Sequence, residues 1–155
     1  MEPVYFRMPS RRHFLLSGAA AIVAGRRLVA EAPLPVVTVY KDPSCGCCAK
    51  WVKYMSTNGF VLNVRDVADV DQYKTMMHVP TALQSCHTAI VGRYVVEGHV
   101  PADVIKKLLS EAPDLLGLAV PGMVDGSPGM EGARSEHYDV IAFDRAGKTR
   151  VYAKR

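Results

Sequence analysis

Four cysteines carry the chemistry in this sequence: Cys45, Cys47 and Cys48 fall within four residues, and Cys86 stands far down the chain. Ordinary structural disulfides join distant segments, and a bridge between the neighbours Cys47 and Cys48 would be strained, so a disulfide staple is the weaker account of the triplet. Thiolate sulfur is soft and can bridge two metal ions. Several sulfurs close together favour cuprous copper, zinc or an iron–sulfur centre and in practice exclude magnesium and calcium. If the triplet sits where a helix begins, the free N–H groups and the helix dipole favour the thiolate form that binds metal.

The soft metals can be ranked. Zinc is content with three cysteines and one histidine, and His87 beside Cys86 offers that set. Adjacent residues on a strand point to opposite faces, however, so Cys86 and His87 can share one metal only where the chain is irregular. Iron–sulfur clusters use wider cysteine spacings than Cys45-Gly46-Cys47-Cys48. Copper fits best. The same segment is also a C-x-x-C pair, which resembles the redox motif of thioredoxins with Cys47 in place of the usual proline. A third thiolate beside the pair competes for any mixed disulfide, which weighs against simple dithiol catalysis.

The flanking pattern shows what positions these sulfurs. The β-branched run Val36 to Tyr40 predicts a buried first strand. Lys41-Asp42-Pro43-Ser44 supplies a turn, with Asp42 or Ser44 as the expected cap of a helix from Cys45 to Asn58. Cys48, Trp51, Val52 and Met55 fall on one face of that helix, away from Lys50 and Lys53. A strand over Phe60 to Val67 and a short helix over Asp69 to His78 follow. A hairpin of Thr88 to Val91 and Tyr94 to Glu97 turns at Gly92-Arg93, and a helix over Asp103 to Glu111 carries the stripe Val104, Ile105, Leu108 and Leu109. Gly117 to Arg134 holds five glycines, two prolines and two methionines and reads as one long loop. Tyr138 to Phe143 and Thr149 to Ala153 predict a closing hairpin. The expected class is α/β, with a thioredoxin-like β-α-β-α-β-β-α core, a Gly/Pro/Met loop and a C-terminal β-hairpin.

Secondary ligands are weaker candidates. Loop thioethers of Met123 and Met130 could hand cuprous ions to the thiolates, although loop methionines commonly only pack. Of Met76 and Met77, at least one belongs to the core. Among the histidines His78, His87, His99 and His137, only His87 and His99 are favoured as ligands, because a lone histidine is usually a hydrogen-bonded structural group. Trp51 and Tyr54 read as cover that limits water at the cluster, with plain core packing explaining Trp51 nearly as well.

At 155 residues, 49% hydrophobic and 22% charged, the chain suits one globular domain plus a targeting segment. The net charge of +4 is concentrated at the start. Residues 1–32 hold five basic and two acidic side chains, leaving 14 basic against 13 acidic in residues 33–155. That near-neutral body carries no basic run interleaved with aromatics, which argues against nucleic acid. Ser10-Arg11-Arg12-His13-Phe14-Leu15 opens an apolar run to Ala24 that is too short to span a bilayer, and it resembles a twin-arginine export signal. Residues 1–32 are therefore expected to be that signal, read by the twin-arginine export machinery, and 33–155 the metal-binding domain, with no stable membrane span after export. Ala30-Glu31-Ala32 has the form of a cleavage site, although Pro33 after it is awkward for signal peptidase.

Several stretches together, Tyr40 to Cys48, Met77-His78-Val79-Pro80, Ser85-Cys86-His87-Thr88, Val96-Glu97-Gly98-His99-Val100-Pro101 and Pro121-Gly122-Met123, resemble the CopG-type family over residues 36 to about 131. Val124 and Asp125 depart from its pattern and leave the cysteines untouched. The resemblance implies a thioredoxin-like periplasmic metal-binding protein associated with copper resistance, with Cys45, Cys47, Cys48 and Cys86 as copper ligands. The expected function is to sequester or transfer Cu(I), one ion or more, in exchange with other periplasmic copper-handling proteins. The rival is a thiol–disulfide or copper-linked oxidoreductase using Cys45 and Cys48, and a third option is a zinc- or disulfide-stabilised adaptor.

Overall fold

The computed structural model describes residues 33–132 and 134–155; the expected export signal lies outside the described residues. The element order is β1 (Val37–Lys41), α1 (Gly46–Thr57), β2 (Leu62–Asp66), α2 (Asp71–Met76), a 3-10 turn (Thr81–Leu83), β3 (His87–Val91), β4 (Tyr94–Glu97), α3 (Ala102–Glu111), β5 (Gly117–Ala119), β6 (Asp139–Phe143) and β7 (Thr149–Lys154). Three helices accompany one mixed seven-stranded sheet in the order β2-β1-β3-β4-β5-β6-β7. β1 pairs parallel to β2 and β4 parallel to β5, and the remaining neighbours are antiparallel.

The β-α-β-α-β-β-α succession expected for the first seven elements is the one observed. The reading of Gly117 to Arg134 as all loop needs correction. Its first three residues form β5, which joins β4 to the C-terminal hairpin. Three residues are too few for period-2 alternation to show, and Gly117 argues for a turn on propensity alone. Its glycine has a packing reason: a Cβ there would lie 2.2 Å from the Val95 carbonyl oxygen, so the strand pairing itself excludes a side chain.

The core explains why α1 and α3 form where they do. Val37 and Val39 of β1, Ala89 and Val91 of β3, Tyr94 and Val96 of β4 and Leu118 of β5 alternate onto one face of the sheet. There they meet Trp51 and Met55 of α1 and Val104, Ile105 and Leu108 of α3. The intervening residues serve a smaller cluster, in which Val95 and Ala119 meet Val79, Leu83 and Phe143, with Met77 packed against them. Met76 is exposed, so Met77 is the core member of that pair. Among the described residues no helix is long and apolar enough to cross a membrane.

Candidate metal centre

The first helix presents its cysteines through its own cap. Cys45, not Asp42 or Ser44, is the N-cap: its backbone is extended and its sulfur accepts the Cys48 N–H at 3.3 Å. Asp42 instead takes the Ser44 N–H at 2.7 Å and shapes the turn before the helix. Cys48 then lies inside the first turn and is buried, while Cys45 and Cys47 are half-buried at the mouth.

Cys86 arrives at the start of β3, the strand paired with β1. It occupies a bend just before β3, and the four sulfurs of Cys45, Cys47, Cys48 and Cys86 all lie within 4.8 Å of one another. Cys47 Sγ is 3.6 Å from Cys45 Sγ and 3.9 Å from Cys86 Sγ. Within this group Cys45 and Cys48 are joined as a disulfide, and Cys47 and Cys86 are free. A disulfide had been the weaker account of the triplet, and for this pair the reason it forms is helical spacing. Residues three apart across the cap stand 5.3 Å apart at Cα, within the range a disulfide bridges, whereas the strain argument applied to neighbours.

Both favoured histidines reach Cys86. His99 Nε2 is 2.9 Å from Cys86 Sγ, and its Nδ1 is 2.7 Å from the Pro128 carbonyl oxygen. A carbonyl only accepts, so Nδ1 carries the proton and the Nε2 lone pair faces the thiol. His87 Nδ1 lies 3.4 Å from the same sulfur. The bend at Cys86 supplies the irregularity that two adjacent residues need if they are to face one point. Cys86, His87 and His99 form a second group whose donor atoms lie within 4.8 Å of one another.

Burial sets the protonation of this side. It pushes the Cys86 thiol up to about 12, with the nearby Cys47 adding to the shift. Burial likewise holds His87 well below its ordinary value and lowers His99, so both rings are neutral, the form that ligates metal. His87 is fully buried against Trp51, with ring centroids 4.5 Å apart, and its Nε2 has no partner among the described residues. An orphaned polar atom of this kind costs about 1–3 kcal/mol. Trp51 packs in the core and lies against His87. It is fully buried, donates from Nε1 to the Val100 carbonyl at 3.0 Å, and covers the histidine beside the sulfurs.

A buried ionic network holds the Cys86 bend. Glu97 Oε1 accepts the Lys74 ammonium at 2.8 Å and the Ser85 N–H at 2.7 Å, and Glu97 Oε2 accepts the Thr88 hydroxyl at 2.6 Å. Sequence reasoning missed this group. The available signal was a glutamate closing the otherwise apolar strand Tyr94-Val95-Val96, but its partner Lys74 lies on a different element.

The Gly/Pro/Met loop spans both sides. Ser85 donates its hydroxyl to the Gly122 carbonyl, Pro128 orients His99, and Gly129 presses on α1. At Gly129, with φ +88°, a Cβ would sit 2.8 Å from the Trp51 nitrogen and 2.9 Å from the Cys47 carbonyl oxygen, so only glycine fits. Met123 is 61% exposed beside Gly122, and Met130 is half-buried beside Gly129. His78 and His137 are exposed.

Comparison with known proteins places this arrangement. A family described as "Protein of unknown function, DUF411" matches residues 83–130, the stretch from the Cys86 bend through the loop. The solved structure "Copper resistance protein copG- Form 2" is 44% identical, with a TM-score of 0.75, over 79% of this chain and 98% of that one. "Copper resistance protein copG- Form 1" is 43% identical, with a TM-score of 0.74, over the same shares. No curated protein matches the chain.

Proposed function

The chain belongs to the family of the copper resistance protein CopG, and from that premise we propose that it binds cuprous copper through Cys45, Cys47, Cys48 and Cys86 and sequesters or passes it on as part of copper resistance. The observation that carries this reading is the convergence of four sulfurs from two distant segments within 4.8 Å. Soft thiolates at that spacing suit one or more cuprous ions. Loading requires the Cys45–Cys48 bridge to be opened by an external dithiol, which gives two electrons and two protons and is itself oxidised to a disulfide. His87, His99, Met123 and Met130 are weaker candidate ligands.

The order β1 to α3, with α1 leaving the first strand at a C-x-x-C pair, supports a thioredoxin-like core for residues 33–155. Residues 1–32 act as a twin-arginine export signal in this reading, and the place of work is the periplasm, where other copper-handling proteins exchange the ion. Anaerobic titration of the reduced chain with cuprous ion should saturate at one equivalent or more, and Cys45→Ser should abolish uptake. A reduced chain that takes up no copper sinks the proposal.

The Cys45–Cys48 bridge itself favours a second reading, a thiol–disulfide or copper-linked oxidoreductase. Catalytic disulfide reduction by the metal-free protein, at a rate that Cys47→Ser leaves intact, would favour that reading over the copper store.

A further inference from the structure

Charge is spread unevenly over residues 33–155. Residues 144–155, which carry β7, hold five basic side chains and one acidic one, leaving nine basic against twelve acidic in residues 33–143. β7 is also the last strand of the sheet, so the backbone N–H and C=O groups along its outer side have no strand to pair with. We propose that the outer edge of β7 is a docking site for an extended segment of a partner protein that alternates acidic and apolar residues and adds to the sheet as one further strand.

The edge itself selects that pattern. Of its five cations only Arg155 has a carboxylate partner among the described residues, Asp103; Arg145, Lys148, Arg150 and Lys154 are exposed and have none. The register sets Arg150 beside Ala142 and Val151 beside Ile141. Ala142 belongs to the core under α1 and α3, so Arg150 stands on that face, where Lys148 lines the same cleft. The Tyr152 ring, with its centroid 5.7 Å from the guanidinium, backs Arg150 there. Val151, 46% exposed beside half-buried Ile141, stands on the opposite face. An added strand points successive side chains to opposite faces, so one set meets Lys148 and Arg150 and the other meets valine. Opposite charges on neighbouring strands attract and like charges repel, so a second β7 edge, cation against cation, is refused. Two acids, Asp114 and Asp144, also line the cleft, and Asp144 Oδ1 is already taken by the Ala146 and Lys148 amides at 2.9 Å. Lipid headgroups would meet the cations but leave Val151 and the row of backbone groups without partners, which favours a peptide. A β-bulge at Val140 and Ile141 bends the edge beyond Val151, so the contact is short and readily reversible. No residue of this edge is among the candidate metal ligands, and the inference stands apart from the copper reading.

The probe is a capped peptide of about eight residues, a usual strand length, alternating glutamate and valine and titrated into the isotope-labelled full chain at low salt. Expected are amide shifts centred on β7 and slowed hydrogen exchange at its outward-facing amides. Lys148→Glu together with Arg150→Glu should lower the affinity about 10-fold, and added salt should weaken binding in the unaltered chain. A matching peptide of alternating lysine and valine should not bind. Circular dichroism checks that the double variant folds; if it does not, the shift map of the unaltered chain decides. Equal binding of the lysine peptide, shifts centred on the arginines of residues 1–32 or anywhere else outside β7, or unchanged affinity in a folded double variant would each overturn the proposal. Light scattering that finds a dimer of the unaltered chain, lost in the double variant, would assign the edge to a second copy instead. Retention on phosphatidylglycerol vesicles with no affinity for the glutamate peptide would assign it to lipid, and either result overturns the peptide site.

Discussion

The two sides of the sulfur cluster are built by different means. On the helix side, Cys45, Cys47 and Cys48 are placed by one turn of α1, and their spacing follows from local helical geometry alone. On the strand side, Cys86 is placed by contacts that are distant in sequence: Glu97 grips the Ser85 amide, Lys74 balances Glu97, and His99 is oriented by Pro128. The helix side is half open to solvent except for Cys48, and the strand side rests on fully buried polar groups. A local motif can thus bring three sulfurs together cheaply, but fixing the fourth takes a sheet, a buried ion pair and a loop.

The sharpest way to break that contrast is Glu97→Ala. It leaves the Lys74 ammonium buried without a counter-charge and frees the Cys86 bend, and loss of about 3–5 kcal/mol in urea-denaturation stability is expected. Copper affinity should fall with it even though no ligand is touched. A smaller loss, about 1–3 kcal/mol, is expected of Gly129→Ala, which places a side chain at positive φ against α1. Its signature is selective: thermal unfolding should shift, and the chemical reactivity of Cys47 should change while the Glu97 network persists.

The gentlest perturbation is pH. His87 and His99 both titrate below their ordinary value of about 6.5 when folded, so the unfolded chain binds more protons than the folded one as pH drops through that value. Stability of the metal-free protein should therefore be fully present above about pH 6.5 and decline below it, by at most about 1.4 kcal/mol per pH unit for each histidine. Burial first, and then the charges of His99, Lys74 and Lys41, all work in this direction on His87. Glu97, raised by burial, contributes in the opposite sense at more acid pH. His99→Gln should flatten the decline; an unchanged slope would show that the strand side is not set by histidine burial.

What could be read from sequence follows the same division. The helix-side triplet, the burial of Cys48, Trp51 and Met55, and the order of the first seven elements were legible, because periodicity and cap chemistry are local signals. The cap itself was misplaced by one residue, since cysteine is not among the usual capping types and its sulfur does the work of an oxygen. The Cys45–Cys48 pair was legible as a C-x-x-C motif, whereas the strain that weighed against a disulfide in the triplet belongs to the neighbours Cys47 and Cys48 and not to residues three apart at a helix mouth. On the strand side, His87 and His99 were only weakly distinguished from His78 and His137. What separates them is a tautomer fixed by Pro128 and a bend before β3, neither of which leaves a trace in residue type. Glu97 left a signal as the glutamate closing an apolar strand, but its pairing with Lys74 was illegible, because a buried ion pair is recognised only once α2 and β4 are known to touch. The short strand β5 was hidden by the glycine that its pairing demands.

A sulfur that caps a helix has two allegiances. Whatever engages Cys45, whether its partner Cys48, a bound ion or a passing thiol, alters the acceptor that the Cys48 amide leans on, so the chemical state at the mouth is written directly into the first backbone turn of α1. Because Trp51 lies one turn further on and reaches the histidine beside Cys86, a change of bonding at the surface of the cluster is mechanically continuous with its interior.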